Sequence, residues 1–327
     1  MRASSTNSGP NPGDPVFRGL GEALSGVPKS KKLLVGVSGG RDSMVLLDAL
    51  LKSGFTNLVV CHVNHMLRGR SAMADERLVR RVAGKLGLPI EMKRVQTASH
   101  AEKSSISIEL AARELRYAFF EECARRNRCR VLLLAHHADD QVETCLFNFL
   151  RGSGVAGLGG MKPLAKRGAL SIRRPLLGVR RSEIDDYRKS HKVPYREDAS
   201  NAETRHTRNR LRHEVMPALE AAVGPSFRKA ILRAASILRV EDEWMSSLIP
   251  PPEKTLSVKM LRAMHPAAQS RHVLSWLRAQ GVADAGASET QRVLSMLSTG
   301  GPAKVNLPQN LHARRRAGVV FLEKGSK

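Results

Sequence analysis

Residues 38–43, Ser-Gly-Gly-Arg-Asp-Ser, place two hydroxyls, two glycines and one carboxylate directly behind the apolar run 32–37, Lys-Leu-Leu-Val-Gly-Val. Glycines leave backbone N–H groups unobstructed, and a helix starting near Ser43 adds its positive end, so the stretch has the makings of a phosphate cradle. The amides of Gly39 and Gly40 and the hydroxyls of Ser38 and Ser43 are the donors. Asp42 would repel an anion and is suited instead to a magnesium ion. An ordinary strand-to-helix turn also calls for glycine, but the order strand, SGGxDS, helix is far more restrictive. The lysine of a nucleotide-binding P-loop is missing from it. In Ala-His-His-Ala-Asp-Asp-Gln-Val-Glu-Thr (135–144), Asp140 and Glu143 stand three apart at a helix start and face the same way. Such a pair suits a cationic ligand, or else it is a surface helix whose acids favour the dipole. His137 and Asp139 beside them are candidates for nucleotide or metal contacts.

Two further stretches carry reactive types. Glu109, Arg113 and Arg116 repeat at helical spacing as one polar stripe opposite Ile108, Ala111, Leu115 and Ala118. The stripe is either a solvated ion-pair face or an anion clamp. His62, Asn64 and His65 end an apolar run, and His65 is a candidate nucleotide contact.

The elements that must position these groups alternate. Strands are expected at 32–37, 58–65, 89–95 and 131–137, and helices at 43–54, 73–87, about 108–127 and 138–150. That alternation predicts an α/β fold with a doubly wound parallel sheet, Rossmann-like, covered on both faces. Ligands in such sheets sit at the carboxyl ends of the strands, where SGGRDS, HVNH and AHHADDQ all fall. A helical segment and a small α+β C-terminal domain follow. The expected organisation is a disordered tail over 1–30, a catalytic domain over 31–215, a helical segment or linker over 216–250, and a small domain over 251–327. The C-terminal domain is expected to show helices over about 257–280 and 288–298 and short strands around 303–308 and 318–322.

Of the 327 residues, 54 are Lys or Arg against 30 Asp or Glu, a formal charge of +24. So large an excess points to a polyanionic partner, with nucleic acid ahead of a membrane surface. The four cysteines, Cys61, Cys123, Cys129 and Cys145, form no CxxC pair and read as reduced cytosolic thiols. No apolar run approaches a membrane span, and the N-terminal stretch lacks a signal-peptide core. A cytoplasmic location is the expectation.

SGGRDS after a strand resembles the PP-loop of the N-type ATP pyrophosphatases. Four more stretches narrow the resemblance to the tRNA(Ile)-lysidine synthetases: 62–76 (HVNHMLRGRSAMADE), 107–117 (SIELAARELRY), 134–161 (LAHHADDQVETCLFNFLRGSGVAGLGGM) and 173–187 (RRPLLGVRRSEIDDY). A fifth is DASN (198–201) followed by RNRLRHEVMP (208–217). The likeness is strong over about 32–220 and weak beyond. It implies an enzyme that uses ATP and Mg2+ to join free lysine to C2 of the wobble cytidine in the isoleucine tRNA with a CAU anticodon. AMP and pyrophosphate are released. It also implies roles. Ser38, Gly39, Gly40, Asp42 and Ser43 would serve ATP, with Asp42 on the metal and His65 and His137 as further nucleotide contacts. Asp140 and Glu143 would hold the lysine ammonium groups. Arg113 and Arg116 would clamp anions. The arginines Arg68, Arg70, Arg173, Arg174, Arg205, Arg208, Arg210 and Arg212, with Arg180 and Arg181, would meet tRNA phosphates. Ala199 stands where that family usually has proline. The resemblance is to the short form without a second C-terminal domain, and a homodimer is among the assemblies it admits. A thiolase of the same superfamily and a non-catalytic tRNA binder are the competing readings. The first is disfavoured by the missing CxxC pairs, the second by the intact SGGRDS and DDQVE.

Overall fold

A computed structural model of the chain describes residues 11–197, 207–282 and 285–325. The chain divides into two compact units at Ser236/Ile237. In the first, six strands pair in the order β3-β2-β1-β4-β6-β5. They are β1 (Leu33–Gly36), β2 (Leu58–Asn64), β3 (Ile90–Arg94), β4 (Val131–Leu133), β5 (Leu164–Arg167) and β6 (Leu170–Arg173). The first four and β6 run parallel, with Leu33 opposite Leu58, Leu34 opposite Leu132 and Val131 opposite Ser171. The edge strand β5 is antiparallel to β6. Helices cover the sheet: α1 (Pro15–Ala23), α2 (Arg41–Lys52), α3 (Gly69–Lys85), α4 (Thr97–Ser104), α5 (Ile108–Arg126), α6 (Ala138–Leu150), α7 (Val155–Leu158) and α8 (Arg181–Ser190).

The alternation of β1 explains the two-sided core. Leu33, Val35 and Val37 pack with α1, α2 and α8, whereas Leu34 packs with Tyr117, Phe119, Phe120 and Cys123 of α5. Gly36 is where α5 comes closest. A Cβ there would lie 2.7 Å from Leu134 Cδ2 and 3.1 Å from Phe120 Cζ. On α5 the buried face is Ala111, Tyr117, Phe119, Phe120 and Cys123, and Ala118, expected on it, is exposed. The aromatic pair has taken the sheet-facing position that the alanine was assigned.

Within the stretch expected as a tail, Pro15–Ala23 is a helix. Asp14 caps it by accepting from Val16 N at 2.8 Å, and Pro15 opens its first turn. Val16, Phe17, Leu20 and Leu24 enter the main core. The β5–β6 hairpin lies in what the sequence presents as a basic region.

Beyond α8, a short α9 (Thr207–Arg210) runs into a π-helical turn, Leu211–Val215, then α10 (Met216–Val223) and α11 (Phe227–Ser247). Residues 216–236 are not a linker. Met216, Leu219, Phe227, Ile231 and Leu232 pack against Val142 and Leu146 of α6, so this part of the helical segment is built into the first unit.

The second unit has an antiparallel sheet in the order β7-β10-β9-β8, made by Leu256–Ser257, Val319–Lys324, Leu311–Arg316 and Lys304–Leu307. Helices α12 (Val258–Ala263), α13 (Pro266–Ala279) and α14 (Ala287–Ser295) fill out a core around Leu261, Val273, Trp276, Val293 and Val320. The single helix expected over 257–280 is divided at His265, whose ring accepts from Ala267 N just before Pro266 starts α13. The strand β9 (LHARRR) was masked by its charge; only Ala313 of it is fully buried. No helix among the described residues is long and apolar enough to cross a membrane.

Gly36→Ala should cost about 1–3 kcal/mol by overpacking against Phe120 and Leu134. Gly84→Ala, in an exposed stretch of α3 with open space around it, should instead gain up to about 1 kcal/mol. Thermal denaturation of the two variants checks both signs.

Candidate functional site

The sheet order reverses between β1 and β4, which is the switch point at which open α/β sheets leave a crevice. The loop after β1 and the start of α2 form one side. Gly39 has φ +92°, a conformation that a side chain would strain, and its carbonyl accepts from Arg196 N. Ser43 Oγ accepts from Ser38 N at 3.1 Å and donates to Gly40 O at 2.9 Å, while Gly40 N donates to Ser38 Oγ at 3.2 Å. The loop is thus knitted by the two serines. Helix α2 begins at Arg41, two residues earlier than its apolar pattern indicates, so Asp42 stands in its first turn. Arg41 Nε donates to Asp42 Oδ1 at 3.3 Å. Its Nη1 grips both oxygens of Asp185 on α8, at 2.6 and 2.8 Å.

The other side is the turn from β4 into α6. His137 N donates to Asp140 Oδ2 at 3.0 Å, which caps the helix. The His137 ring is 2 % exposed, and its Nε2 lies 3.7 Å from Asp42 Oδ2 and 3.6 Å from Asp140 Oδ2. The His137 ring therefore lies between the two carboxylates. Asp139 Oδ2 accepts from Arg181 N at 3.0 Å and Oδ1 from Arg228 Nη1 at 2.7 Å. Asp140 and Glu143 share one face, and a cation already sits on them. Arg212 Nε donates to Glu143 Oε1 at 2.5 Å, and its Nη2 donates to Glu143 Oε2 at 2.9 Å and to Asp140 Oδ1 at 3.1 Å. Burial raises the Glu143 carboxyl above the usual carboxylate range, with Arg212 opposing.

A cationic cluster rims the crevice on the α5 side. Arg113 and Arg116 both lie over the Tyr117 ring, at 5.5 and 5.9 Å from its centroid. Arg174 is 7 % exposed, donates to Lys162 O at 2.6 Å, and has no carboxylate against it among the described residues. A buried guanidinium without a counter-ion is costly unless an anion visits it. Burial, and then the charges of Arg174, Arg116 and Arg113, hold His136 neutral far below its ordinary value. His65 meets Thr97 Oγ1 at 3.1 Å, and burial with Arg116 and Arg68 lowers it to about 4. His136 and the buried Arg174 were not picked out as part of this cluster. The doubled histidine at a strand end was the available signal, since adjacent residues there face different sides.

The arginines expected on tRNA sort into two groups. Arg68, Arg70 and Arg210 are exposed, as is Arg180, which pairs with Glu183 at 2.6 Å. Three others are committed inside. Arg173 donates to Ala23 O at 2.5 Å and ties β6 to the end of α1; Arg174 is buried; Arg212 is held by the carboxylate pair. In this structure these three side chains are engaged by protein partners and not presented as surface cations. Arg205 and the side chain of Arg208 lie outside the described residues, as does DASN.

A family model described as a PP-loop domain matches residues 16–219, and one described as a TilS substrate binding domain matches residues 256–321. The tRNA(Ile)-lysidine synthase of Petrotoga mobilis is 37 % identical over 213 residues, which cover 64 % of this chain and 67 % of that protein. The chain belongs to the tRNA(Ile)-lysidine synthase family of PP-loop proteins. The synthases of Solibacter usitatus and Geobacter sulfurreducens are 38 and 39 % identical, each over 67 % of this chain. These matches cover 48 and 46 % of the two proteins, so the chain spans about half the length of the curated relatives it matches. Among solved structures, the U34-tRNA thiolase NcsA from Methanococcus maripaludis with its [4Fe-4S] cluster aligns at TM-score 0.56 and 18 % identity. The alignment covers 73 % of this chain and 80 % of that one, a likeness of fold.

Because His65 is lowered to about 4, the unfolded chain takes up a proton near 6.5 before the folded chain does. Stability should therefore fall between about pH 6.5 and pH 4, and His65→Asn should flatten that part of the curve. Denaturant titrations at a series of pH values measure it, and the His65 ring signals should stay unshifted from pH 8 down to about 5.

Proposed function

We propose that this chain ligates free lysine to C2 of the wobble cytidine in the isoleucine tRNA with a CAU anticodon, consuming ATP and releasing AMP and pyrophosphate. The observation that carries the reading is the pair Asp140 and Glu143 set across a single buried histidine from Asp42 of the PP-loop. It puts a site for a substrate cation beside a site for a nucleotide. A hydrolase or a simple tRNA binder has no use for that pairing.

Two steps are required. In the first, cytosine O2 attacks the α-phosphorus of ATP and pyrophosphate leaves. The amides and hydroxyls of Ser38, Gly39, Gly40 and Ser43 would hold the pyrophosphate portion, the bonds among Ser38, Gly40 and Ser43 being exchanged for bonds to phosphate. Asp42 is the residue suited to Mg2+, which takes one or two carboxylates and leaves its other positions to phosphate oxygens and water. The ion would neutralise charge building on the leaving pyrophosphate. Arg113, Arg116 and Arg174 supply positive charge without a carboxylate competing at Arg174, and suit the α-phosphate or the lysine carboxylate. In the second step the ε-amine of lysine attacks C2 and AMP leaves. Asp140 and Glu143 orient that amine, and the raised Glu143 is the better placed of the two to take its proton.

The second unit, with Arg314 and Arg316 exposed on β9, and the exposed Arg68, Arg70 and Arg210 are the surfaces proposed for tRNA. Sulfur transfer by a thiolase is not favoured, because all four cysteines are buried and none is in a disulfide.

Incubation with labelled lysine, ATP, Mg2+ and the CAU transcript should place label in the RNA. Label from cysteine sulfur instead would favour a thiolase. ATP and tRNA binding with no label from either would leave only a binding protein. Asp42→Asn should abolish adenylated RNA while changing tRNA affinity by less than about twofold, since one carboxylate makes no phosphate contact. Loss of tRNA binding in that variant would undo the separation of the two sites.

A further inference from the structure

The carboxylate pair assigned to the lysine ammonium is filled by the chain itself. We propose that Arg212 is an internal stand-in for the substrate cation, which closes the lysine site until RNA draws the arginine away. The proposal rests on the lysine reading above.

Three observations carry it. First, the occupation is complete: Arg212 donates to both oxygens of Glu143 and to Oδ1 of Asp140, and the remaining oxygen, Oδ2, accepts from His137 N. Every oxygen of the pair already has a protein donor, and an ammonium brought onto the same two carboxylates would be repelled by the guanidinium that sits there. The guanidinium is the donor that a side chain can withdraw; the His137 amide is fixed by the helix start.

Second, Arg212 is mounted on the π-helical turn Leu211–Val215, between α9 and α10. A π turn has poorer hydrogen bonding than the α-helix it interrupts, and persists where it aims something. Leu211 and Met216 are 2 and 1 % exposed and anchor the turn at both ends, so its interior can be reset without dismantling α10.

Third, the turn lies where an anion can reach it. Arg210, two residues earlier, is exposed, with Glu214 at 3.5 Å. The Arg212 side chain itself keeps 24 % exposure, so a phosphate drawn to this segment can compete for it. Each cation then finds a partner after the exchange: arginine on phosphate, lysine on carboxylates. No charge is left buried alone at either stage, which is the condition for a low barrier.

The consequence is coupling. If Arg212 cannot hold both partners, RNA and lysine must favour each other's binding by the same factor. Lysine affinity is read by calorimetry without ATP, so that nothing turns over, for the wild-type chain and for Arg212→Ala and Arg212→Gln. The RNA used is the CAU transcript. Wild type should bind lysine about tenfold more tightly with the transcript present. Both variants should bind lysine that tightly without RNA, and the transcript should then add less than about twofold. Unchanged or weaker lysine binding in the variants, or an undiminished effect of the transcript, would show Arg212 to be a fixed support of the pair. The wild-type comparison needs no variant, so it decides even if the substitutions unfold the chain: no effect of RNA there overturns the proposal. If lysine binds none of the proteins with or without RNA, it is the lysine reading that has failed, and the gate with it.

Discussion

A carboxylate buried as deeply as Glu143 must, whenever it is ionised, be matched by a positive charge. Much of the site follows from that requirement. It brings a guanidinium from a segment about seventy residues later in the chain onto α6. It puts a neighbouring acid, Asp140, where one oxygen caps the helix and the other shares the cation. It keeps a histidine between these groups and the PP-loop carboxylate, so that negative charges on opposite sides of the crevice do not meet directly. The positive charges of Arg113, Arg116 and Arg174 gather instead around His136.

The sheet makes this arrangement possible. β1 lies between β2 and β4, and its alternating residues serve two cores. Loops from three strands reach one edge because parallel pairing leaves them no other place. The closeness of α5 at Gly36 brings the arginines of that helix to the same edge.

Much of this was legible in the residues. The alternation of short apolar runs with longer amphipathic ones revealed the parallel sheet, and SGGRDS and DDQVE declared themselves by residue type and position. What stayed hidden has physical causes. The helix at Pro15–Ala23 sits behind a Gly/Pro/Ser-rich lead, although Asp14-Pro15 is a cap-and-start signal. β5 and β9 carry consecutive basic residues, Lys166-Arg167 and Arg314-Arg315-Arg316, so charge obscured the two-residue period. The role of Arg212 could not be read locally at all. Its partners are 69 and 72 residues away, and only packing decides whether an arginine in a basic run faces solvent or a carboxylate.

One tie bears on how the protein comes into being. Asp139 in the first turn of α6 is fastened at once to the backbone of Arg181 and to the side chain of Arg228. Both fasteners come late. As the chain leaves the ribosome from its N-terminus, the PP-loop can reach its strand early, but the carboxylate side of the crevice stays unbraced until residue 228 has emerged. The carboxylate side of the crevice is thus the last to be braced, after Asp185 and Arg196 have reached the loop that follows β1.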